Sequence, residues 1–169
     1  MILELINILK NDGAVLPFDV NLDFGKISFG GVNFSFDAPL HVTGSVKNIS
    51  GVLRLYATVS GNAEVPCSRC MVPLKIRVNY NIEETLSSAA ESEHVSDDGD
   101  DAIVLNGSTL DLKQVVLDNF FSNAGTKYLC KPDCKGLCPH CGVDRNKTEC
   151  NCASDVTDPR LSVLNDLFK

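Results

Sequence analysis

Eight cysteines constrain this chain more than any other feature of its sequence. Six of them crowd into residues 130–152, and the other two form a separate pair near the middle of the chain. In order, they are Cys67, Cys70, Cys130, Cys134, Cys138, Cys141, Cys150 and Cys152. Two pairs have the spacing C-x-x-C, at which a tight turn can aim two thiolates at one tetrahedral ion. The pattern therefore predicts that part of the fold is built around metal.

The spacing also predicts which cysteines share an ion. In an extended segment, side chains two apart point to the same side, so Cys150 and Cys152 form a second kind of pincer. One Cys₄ zinc site is predicted at Cys138, Cys141, Cys150 and Cys152, and a second at Cys67, Cys70, Cys130 and Cys134. For the second group, spacing alone leaves a single metal, exchanged partners or free thiols open. A Cys67–Cys70 turn without metal also stays open.

The N-terminal sequence indicates the compartment of the protein, and the compartment determines whether its thiols stay reduced. It has no basic leader, is interrupted by Glu4 and Asn7, and its apolar run is too short to span a bilayer. We therefore expect a cytoplasmic protein with no membrane partner, whose thiols stay reduced and bind metal. Disulfides and redox catalysis remain alternatives, although neither C-x-x-C opens a helix in a βαβ pattern.

The negative charge of the chain comes from one run. The formal net charge is -7, but residues 83–101 hold eight acidic residues and no basic one, and the remainder has 15 basic against 14 acidic residues. Residues 87–101 have the composition of a solvated, flexible linker. An acidic docking segment is the alternative reading of the same run.

Alternating apolar residues predict β structure before this linker. Residues 27–29 and 32–36 alternate around Gly30-Gly31, which is a hairpin signal. The alternation continues through residues 42–65, with Leu53, Leu55, Ala57 and Val59 on one face. It resumes at residues 74–82, so the first cysteine pair lies at the bend between two strands.

After the linker, residues 102–105 predict a short strand and then a helix. Asp111 can cap that helix, with Gln114 in the capping-box position and an apolar stripe that is typical of core. Asp158 and Pro159 predict a second helix at the C-terminal end. Between the two helices, prolines and glycine exclude a regular helix from residues 130–152 and leave a loop-rich segment.

These patterns predict an α+β fold: an antiparallel β-meander or partly closed sheet packed by one or two helices, with a C-terminal zinc-stabilised cysteine-rich segment. The predicted organisation is a β domain at 1–86, the acidic linker at 87–101, and residues 102–169 packing on the same core.

The ordered motifs resemble one protein family. They are the run C-K-P-D-C-K-G-L-C-P-H-C-G from Cys130, the later Cys150-Asn-Cys152, the Asp158-Pro-Arg-Leu161 before a final apolar helix, and the Cys67-Ser-Arg-Cys70 turn. Together they look like the YceD family in its cysteine-rich form. The resemblance implies a non-enzymatic bacterial or plastid factor required for accumulation of large-subunit ribosomal RNA.

Two classes of partner are compatible with these residues. Basic side chains that could contact RNA phosphates are Lys127, Lys131, Lys135, Arg145, Lys147, Arg54, Lys75 and Arg77. The partner would then be large-subunit rRNA or a pre-ribosomal particle; the alternative is a protein adaptor that binds a basic ribosomal protein. An enzyme with a small-molecule substrate is disfavoured, because no catalytic set is readable and a Cys₄ zinc has no open position.

Overall fold

The computed structural model describes residues 1–88 and 102–152, which form nine strands and two helices. The strands are β1 (Ile2–Glu4), β2 (Val15–Leu22), β3 (Lys26–Phe29), β4 (Val32–Ser35), β5 (Leu40–Ile49), β6 (Val52–Pro66), β7 (Pro73–Ser88), β8 (Ile103–Leu105) and β9 (Thr109–Asp111). The helices are α1 (Ile6–Leu9) and α2 (Leu112–Asn123). The helix predicted after Asp158 lies outside the described residues.

Seven strands form one sheet. Its main path is β2-β5-β6-β4-β3, and β7 pairs with both β6 and β8. The pairings are antiparallel except for β7 with β8, which is parallel. Strands β1 and β9 make a separate antiparallel pair. The predicted fold class, a mostly antiparallel sheet with helices, is confirmed.

The longest pairing in the sheet joins β6 and β7. Its register runs from Leu53 opposite Leu86 to Pro66 opposite Pro73, so the two strands form a ribbon whose turn carries the first cysteine pair. The predicted alternation in β6 is confirmed by four buried side chains: Leu53, Leu55, Ala57 and Val59. The predicted hairpin at Gly30-Gly31 is also present, between β3 and β4.

Helix α2 begins at the predicted cap. The Asp111 carboxylate accepts the backbone N–H groups of Lys113 at 3.0 Å and Gln114 at 3.4 Å. The Gln114 side chain does not complete a capping box, because its amide donates to Asp118 at 2.8 Å instead. The predicted apolar stripe is buried core, and its members are Leu112, Val115, Val116 and Phe120.

Aromatic side chains pack α2 against the sheet. The ring of Phe120 meets those of Phe34 and Phe36 edge-on, with centroids 5.1 and 5.4 Å apart. The Tyr80 hydroxyl donates to the Val116 carbonyl at 2.7 Å, and burial raises the pKa of this tyrosine. Each such aromatic pair contributes roughly 0.5–1.5 kcal/mol beyond its buried area, so the helix is held firmly.

Backbone contacts divide the chain into two compact units. The sheet unit comprises Met1–Pro66 and Pro73–Tyr128, and the cysteine unit comprises Cys67–Val72 and Leu129–Lys169, described as far as Cys152. The predicted boundaries at 86/87 and 101/102 stay predictions, because most of the acidic linker lies outside the described residues. Within residues 1–88 and 102–152, no helix has the length and apolar character needed to cross a membrane.

Candidate metal centres

The eight cysteine sulfurs come together in two groups of four. Within each group, all four Sγ atoms lie within 4.8 Å of one another. Site 1 comprises Cys67, Cys70, Cys130 and Cys134; site 2 comprises Cys138, Cys141, Cys150 and Cys152. These are the two groupings that the spacing predicts. Either group could hold a metal ion, and the role of each cysteine as a ligand stays a prediction.

The sulfur separations in site 1 fit a tetrahedral ion. The Sγ atoms of Cys67 and Cys134 lie 3.9 Å apart and those of Cys70 and Cys130 lie 3.6 Å apart. Four sulfurs at roughly 2.3 Å from a central ion are about 3.8 Å from one another. All eight cysteines are free thiols rather than disulfides. Four thiolates in this geometry suit zinc, or iron in a tetrahedral sulfur site.

Both C-x-x-C turns have the same backbone geometry. The N–H after the second cysteine donates to the carbonyl of the first, from Met71 to Cys67 at 3.0 Å and from Gly142 to Cys138 at 2.9 Å. The N–H of each first cysteine donates to the carbonyl five residues further on, at 2.8 Å in both turns. Each turn thereby presents its two sulfurs to one point, which explains why this spacing suits a metal ligand pair.

The two turns differ at the residue that follows the second cysteine. Gly142 has φ 74° and Met71 has φ 60°, so both lie in the left-handed region. Glycine takes this conformation without a steric penalty, whereas an L-residue meets its following carbonyl oxygen. The Met71 side chain is 59% exposed and so gains little from burial. The turn of site 1 therefore carries backbone strain that the turn of site 2 lacks.

The segment that joins the two sites packs on the turn of site 1. Leu137 donates its N–H to the Arg69 carbonyl at 3.0 Å, and the Arg69 guanidinium donates to the Cys134 carbonyl at 2.7 Å. A Cβ at Gly136 would lie 2.9 Å from the Arg69 carbonyl oxygen, so only glycine allows this approach. These contacts bring Cys134 to site 1. Their sequence signal is the glycine of C-K-G-L-C.

A loop at residues 142–149 connects the two cysteine pairs of site 2. The Asp144 carboxylate accepts the backbone N–H of Asn146 at 3.0 Å and its side-chain amide at 2.7 Å. These hydrogen bonds hold the pKa of Asp144 below its usual value. The same Asn146 amide lies 3.4 Å from the Sγ of Cys134, a member of site 1. Sequence reasoning missed this residue, because a lone asparagine has no recognisable ligand pattern.

In site 1, the local environment lowers the pKa of two cysteines and raises the pKa of the other two. Burial raises the pKa of Cys67, but N–H groups that donate to its sulfur outweigh burial and lower the pKa to about 6. For Cys134, the hydrogen bond from Asn146 and a backbone N–H likewise overcome burial and lower the pKa. Hydrogen bonding with Cys134, together with burial, raises the pKa of Cys130 to about 12. A backbone N–H favours the Cys70 thiolate, but burial and neighbouring sulfurs raise its pKa.

Site 2 shows the same division. Backbone N–H groups of its own turn lower the pKa of Cys138 to about 6. Hydrogen bonding with Cys141, together with burial, raises the pKa of Cys152 to about 12, and the neighbouring Cys138 raises that of Cys150. Four adjacent sulfurs cannot all ionise without a compensating charge. A cation at either site would stabilise all four thiolates and release the protons of the remaining thiols.

The predicted RNA-contacting side chains are divided between the two units. Those in the cysteine unit are Lys131, Lys135, Arg145 and Lys147, and those in the sheet unit are Lys127, Arg54, Lys75 and Arg77. Three of them have acidic neighbours: Arg54 lies 3.7 Å from Glu83, Lys131 lies 3.9 Å from Asp133, and Lys147 lies 4.0 Å from Asp144. Among the described residues, Lys135 and Arg145 make no ion pair.

Comparison with known families finds one matching family model. A family model described as Large ribosomal RNA subunit accumulation protein YceD matches residues 55–168. The chain belongs to the YceD family. The matched range starts within β6 and includes all eight cysteines.

Several bacterial proteins are similar to this YceD-family chain. The uncharacterized proteins Mb2951c of Mycobacterium bovis and Rv2926c of Mycobacterium tuberculosis are each 27% identical over 73% of the chain, which spans 59% of their length. The Bacillus subtilis protein YlbN is 24% identical over 90% of the chain and 87% of its own length. No solved structure matches the chain.

Proposed function

We propose that this protein is a non-enzymatic, zinc-binding factor of the cytoplasm that supports accumulation or processing of large-subunit ribosomal RNA during ribosome assembly. The observation that carries the proposal is the match of residues 55–168 to a family described as Large ribosomal RNA subunit accumulation protein. The reducing cytoplasm is the compartment where these free thiols would remain available for metal.

Zinc is the metal that the donor sets suit best. Each tetrad offers four thiolates and no nitrogen or oxygen ligand, which is the composition of structural zinc sites. When bound, zinc would supply a closed tetrahedral link between turns rather than a reactive centre, since four cysteines fill its coordination positions. The metal thus supports a structural role for the cysteine unit.

The basic residues of the cysteine unit are the proposed RNA contacts. Lys135 and Arg145 are exposed and free of acidic partners among the described residues, so their charges are available to phosphates. Lys131 and Lys147 would add weaker contacts, because acidic neighbours partly offset them. Phosphate contacts of this kind make affinity fall with added salt.

Charge also favours a second candidate, the protein adaptor. The described part of the cysteine unit has five basic and three acidic residues. Two loaded Cys₄ zinc sites would each add about -2, which turns this balance negative. A negative module, in a chain that also carries the acidic run at residues 83–101, would suit a basic ribosomal protein better than RNA.

Depletion in cells tests the ribosomal role. Loss of the protein should lower large-subunit rRNA relative to small-subunit rRNA, and expression of the unaltered chain should restore it. Chains carrying Cys70→Ser or Cys141→Ser at matched abundance should restore it less well. Normal rRNA levels and normal subunit sedimentation in depleted cells would contradict the proposal.

Charge variants distinguish RNA contact from the adaptor. Replacement of Lys131, Lys135, Arg145 and Lys147 by Gln should weaken association with pre-ribosomal particles and reduce its salt dependence. The matched control replaces four exposed lysines of the sheet unit, Lys10, Lys26, Lys47 and Lys113, by Gln. The adaptor predicts a different result. Association should then survive both the basic-residue replacement and nuclease treatment, but fall when the acidic residues between 91 and 101 are replaced by their amides.

A further inference from the structure

We propose that Asn146 is a positioning residue that couples the two metal sites: closure of site 2 holds its carboxamide against Cys134, so metal at site 2 raises the affinity of site 1 for metal. The inference rests on the proposal that both tetrads bind metal. It does not depend on the ribosomal role, because it is measured on the purified chain.

The orientation of the Asn146 side chain is fixed from both ends. Its Oδ1 accepts the backbone N–H of Lys135 at 2.9 Å, and its Nδ2 donates to the Asp144 carboxylate at 2.7 Å. If the amide were flipped, its NH₂ group would face the N–H of Lys135 and its oxygen would face the Asp144 carboxylate, and neither contact is a hydrogen bond. Nδ2 is therefore the atom that faces the Cys134 sulfur, at 3.4 Å. Sulfur acceptors form long hydrogen bonds, and a thiolate is the charged partner that strengthens one.

A second contact fixes the same loop beside site 1. Arg145 donates its N–H to the Gly136 carbonyl at 3.0 Å. Two consecutive loop residues thus bind the backbone at 135 and 136, directly after Cys134. Within the loop, the Asp144 carbonyl accepts the N–H groups of Lys147 and Thr148, each at 3.0 Å, which closes a tight turn around Asn146. The loop acts as one rigid support for a site 1 ligand.

The ends of this loop belong to site 2. Cys141 precedes residue 142 and Cys150 follows residue 149, and both lie in the second tetrad. Metal at site 2 would join these ends and restrict the open loop. The conformational entropy of the loop would then be lost on binding at site 2, and not on binding at site 1. Site 1 would then receive metal with Asn146 already in place. Hydrogen bonds to ligating atoms typically change metal affinity by about 10–100-fold when removed.

Coupling of this kind is reciprocal. If metal at site 2 raises the affinity of site 1, metal at site 1 must raise the affinity of site 2 by the same factor. A chain that cannot load site 1, such as the Cys70→Ser variant, should therefore bind at site 2 more weakly than the intact chain. The Cys141→Ser variant measures the opposite direction.

The experiment titrates the purified full chain with Co²⁺, the spectroscopic substitute for zinc in thiolate sites, and with Zn²⁺ against a competing chelator. Asn146→Ala should still bind two equivalents but lower the affinity of site 1 about tenfold or more. Thr148→Ala, which changes an exposed side chain in the same loop, should stay within about twofold. Asn146→Asp keeps the acceptor for Lys135 but loses the donor, so it should also weaken site 1.

A double-mutant cycle tests the coupling itself. Cys141→Ser should weaken site 1 by about the same factor as Asn146→Ala, and the combined variant should lose little more. Full additivity would overturn the coupling, since Asn146 would then act on site 1 without site 2. Unchanged site 1 affinity in either Asn146 variant would overturn it as well. An unaltered chain that binds fewer than two equivalents would overturn both this inference and the proposal of two metals.

Discussion

Met71 occupies a backbone position that glycine holds in the equivalent turn. The left-handed conformation costs an L-residue about 1–2 kcal/mol, which glycine avoids. Glycine also gives the unfolded chain more conformational freedom, which lowers stability by roughly 0.5–1 kcal/mol. Met71→Gly should therefore raise the stability of the site 1 turn by about 0.5–1 kcal/mol. Thermal unfolding of the metal-loaded chain, together with competitive metal titration of site 1, measures the effect.

The matched control is the opposite change in the other turn. Gly142 has φ 74° and open space where a Cβ would stand, so Gly142→Ala adds backbone strain without a clash. It should weaken site 2 by a similar amount. Destabilisation by Met71→Gly would mean that the methionine side chain contributes contacts that outweigh its backbone strain.

At this scale the sequence predicts ligands better than their supports. The pairing of Cys67 with Cys70, and of Cys138 with Cys141, follows from short-range spacing, because a C-x-x-C turn closes locally. Spacing alone could not decide that Cys67 and Cys70 join Cys130 and Cys134. Arg69 and Asn146 reach site 1 residues and their neighbours through contacts with residues more than ten positions away. Long-range hydrogen bonds leave no local pattern, so neither residue could be recognised beforehand.

The loop of site 2 is the element that should depend most on metal. Cys141→Ser should release one equivalent at saturating metal and make residues 142–149 sensitive to protease, because most residues of this loop are exposed. The control His140→Ala changes an exposed neighbour outside the tetrad and should keep both equivalents. Retention of two equivalents by the serine variant would show that the ligand assignment is wrong.

The pH dependence of metal binding follows from the divided thiols of each tetrad. At pH 7 the cysteines with pKa about 6, Cys67 and Cys138, are already thiolates, whereas Cys130 and Cys152, with pKa about 12, are protonated. Metal binding must displace the remaining protons, so affinity should fall as pH is lowered and fall more steeply below pH 6. Proton release measured by calorimetry in two buffers checks this. Affinity independent of pH between 6 and 8 would contradict thiol ligation.

The strands show where sequence patterns succeed and fail. In β6 one face is buried and the other is half-buried or exposed, so alternation predicts both the strand and its buried residues. Strand β1 is three residues long and pairs Ile2 with Asp111 of β9. A strand that short has no periodicity, and its partner is remote in sequence, so it could not be predicted.

For the whole molecule, the sheet unit should not need metal to fold. Its core comprises apolar residues of that unit alone among the described residues. Leu55→Ala, at a fully buried position, should lower the free energy of unfolding of the sheet by about 2–5 kcal/mol while leaving metal content unchanged. Asn79→Ala, on an exposed position of β7, should change it by less than about 0.5 kcal/mol. Chemical denaturation followed by far-UV circular dichroism provides the measurement.

The separation of the ligands along the chain sets an order of events during synthesis. All four sulfurs of site 2 fall within residues 138–152, whereas site 1 joins cysteines 60 and 67 positions apart. Closing the longer loop is not the main difference, because each doubling of loop length adds only about 0.6 kcal/mol of closure entropy. Cys67 and Cys70 also cannot complete site 1 until the ribosome has synthesised Cys130 and Cys134. During that interval the turn between β6 and β7 carries two thiols, Cys67 and Cys70, whose partner cysteines have not yet been synthesised. A nascent chain of this protein therefore leaves the exit tunnel with its first metal ligands exposed long before they can be used.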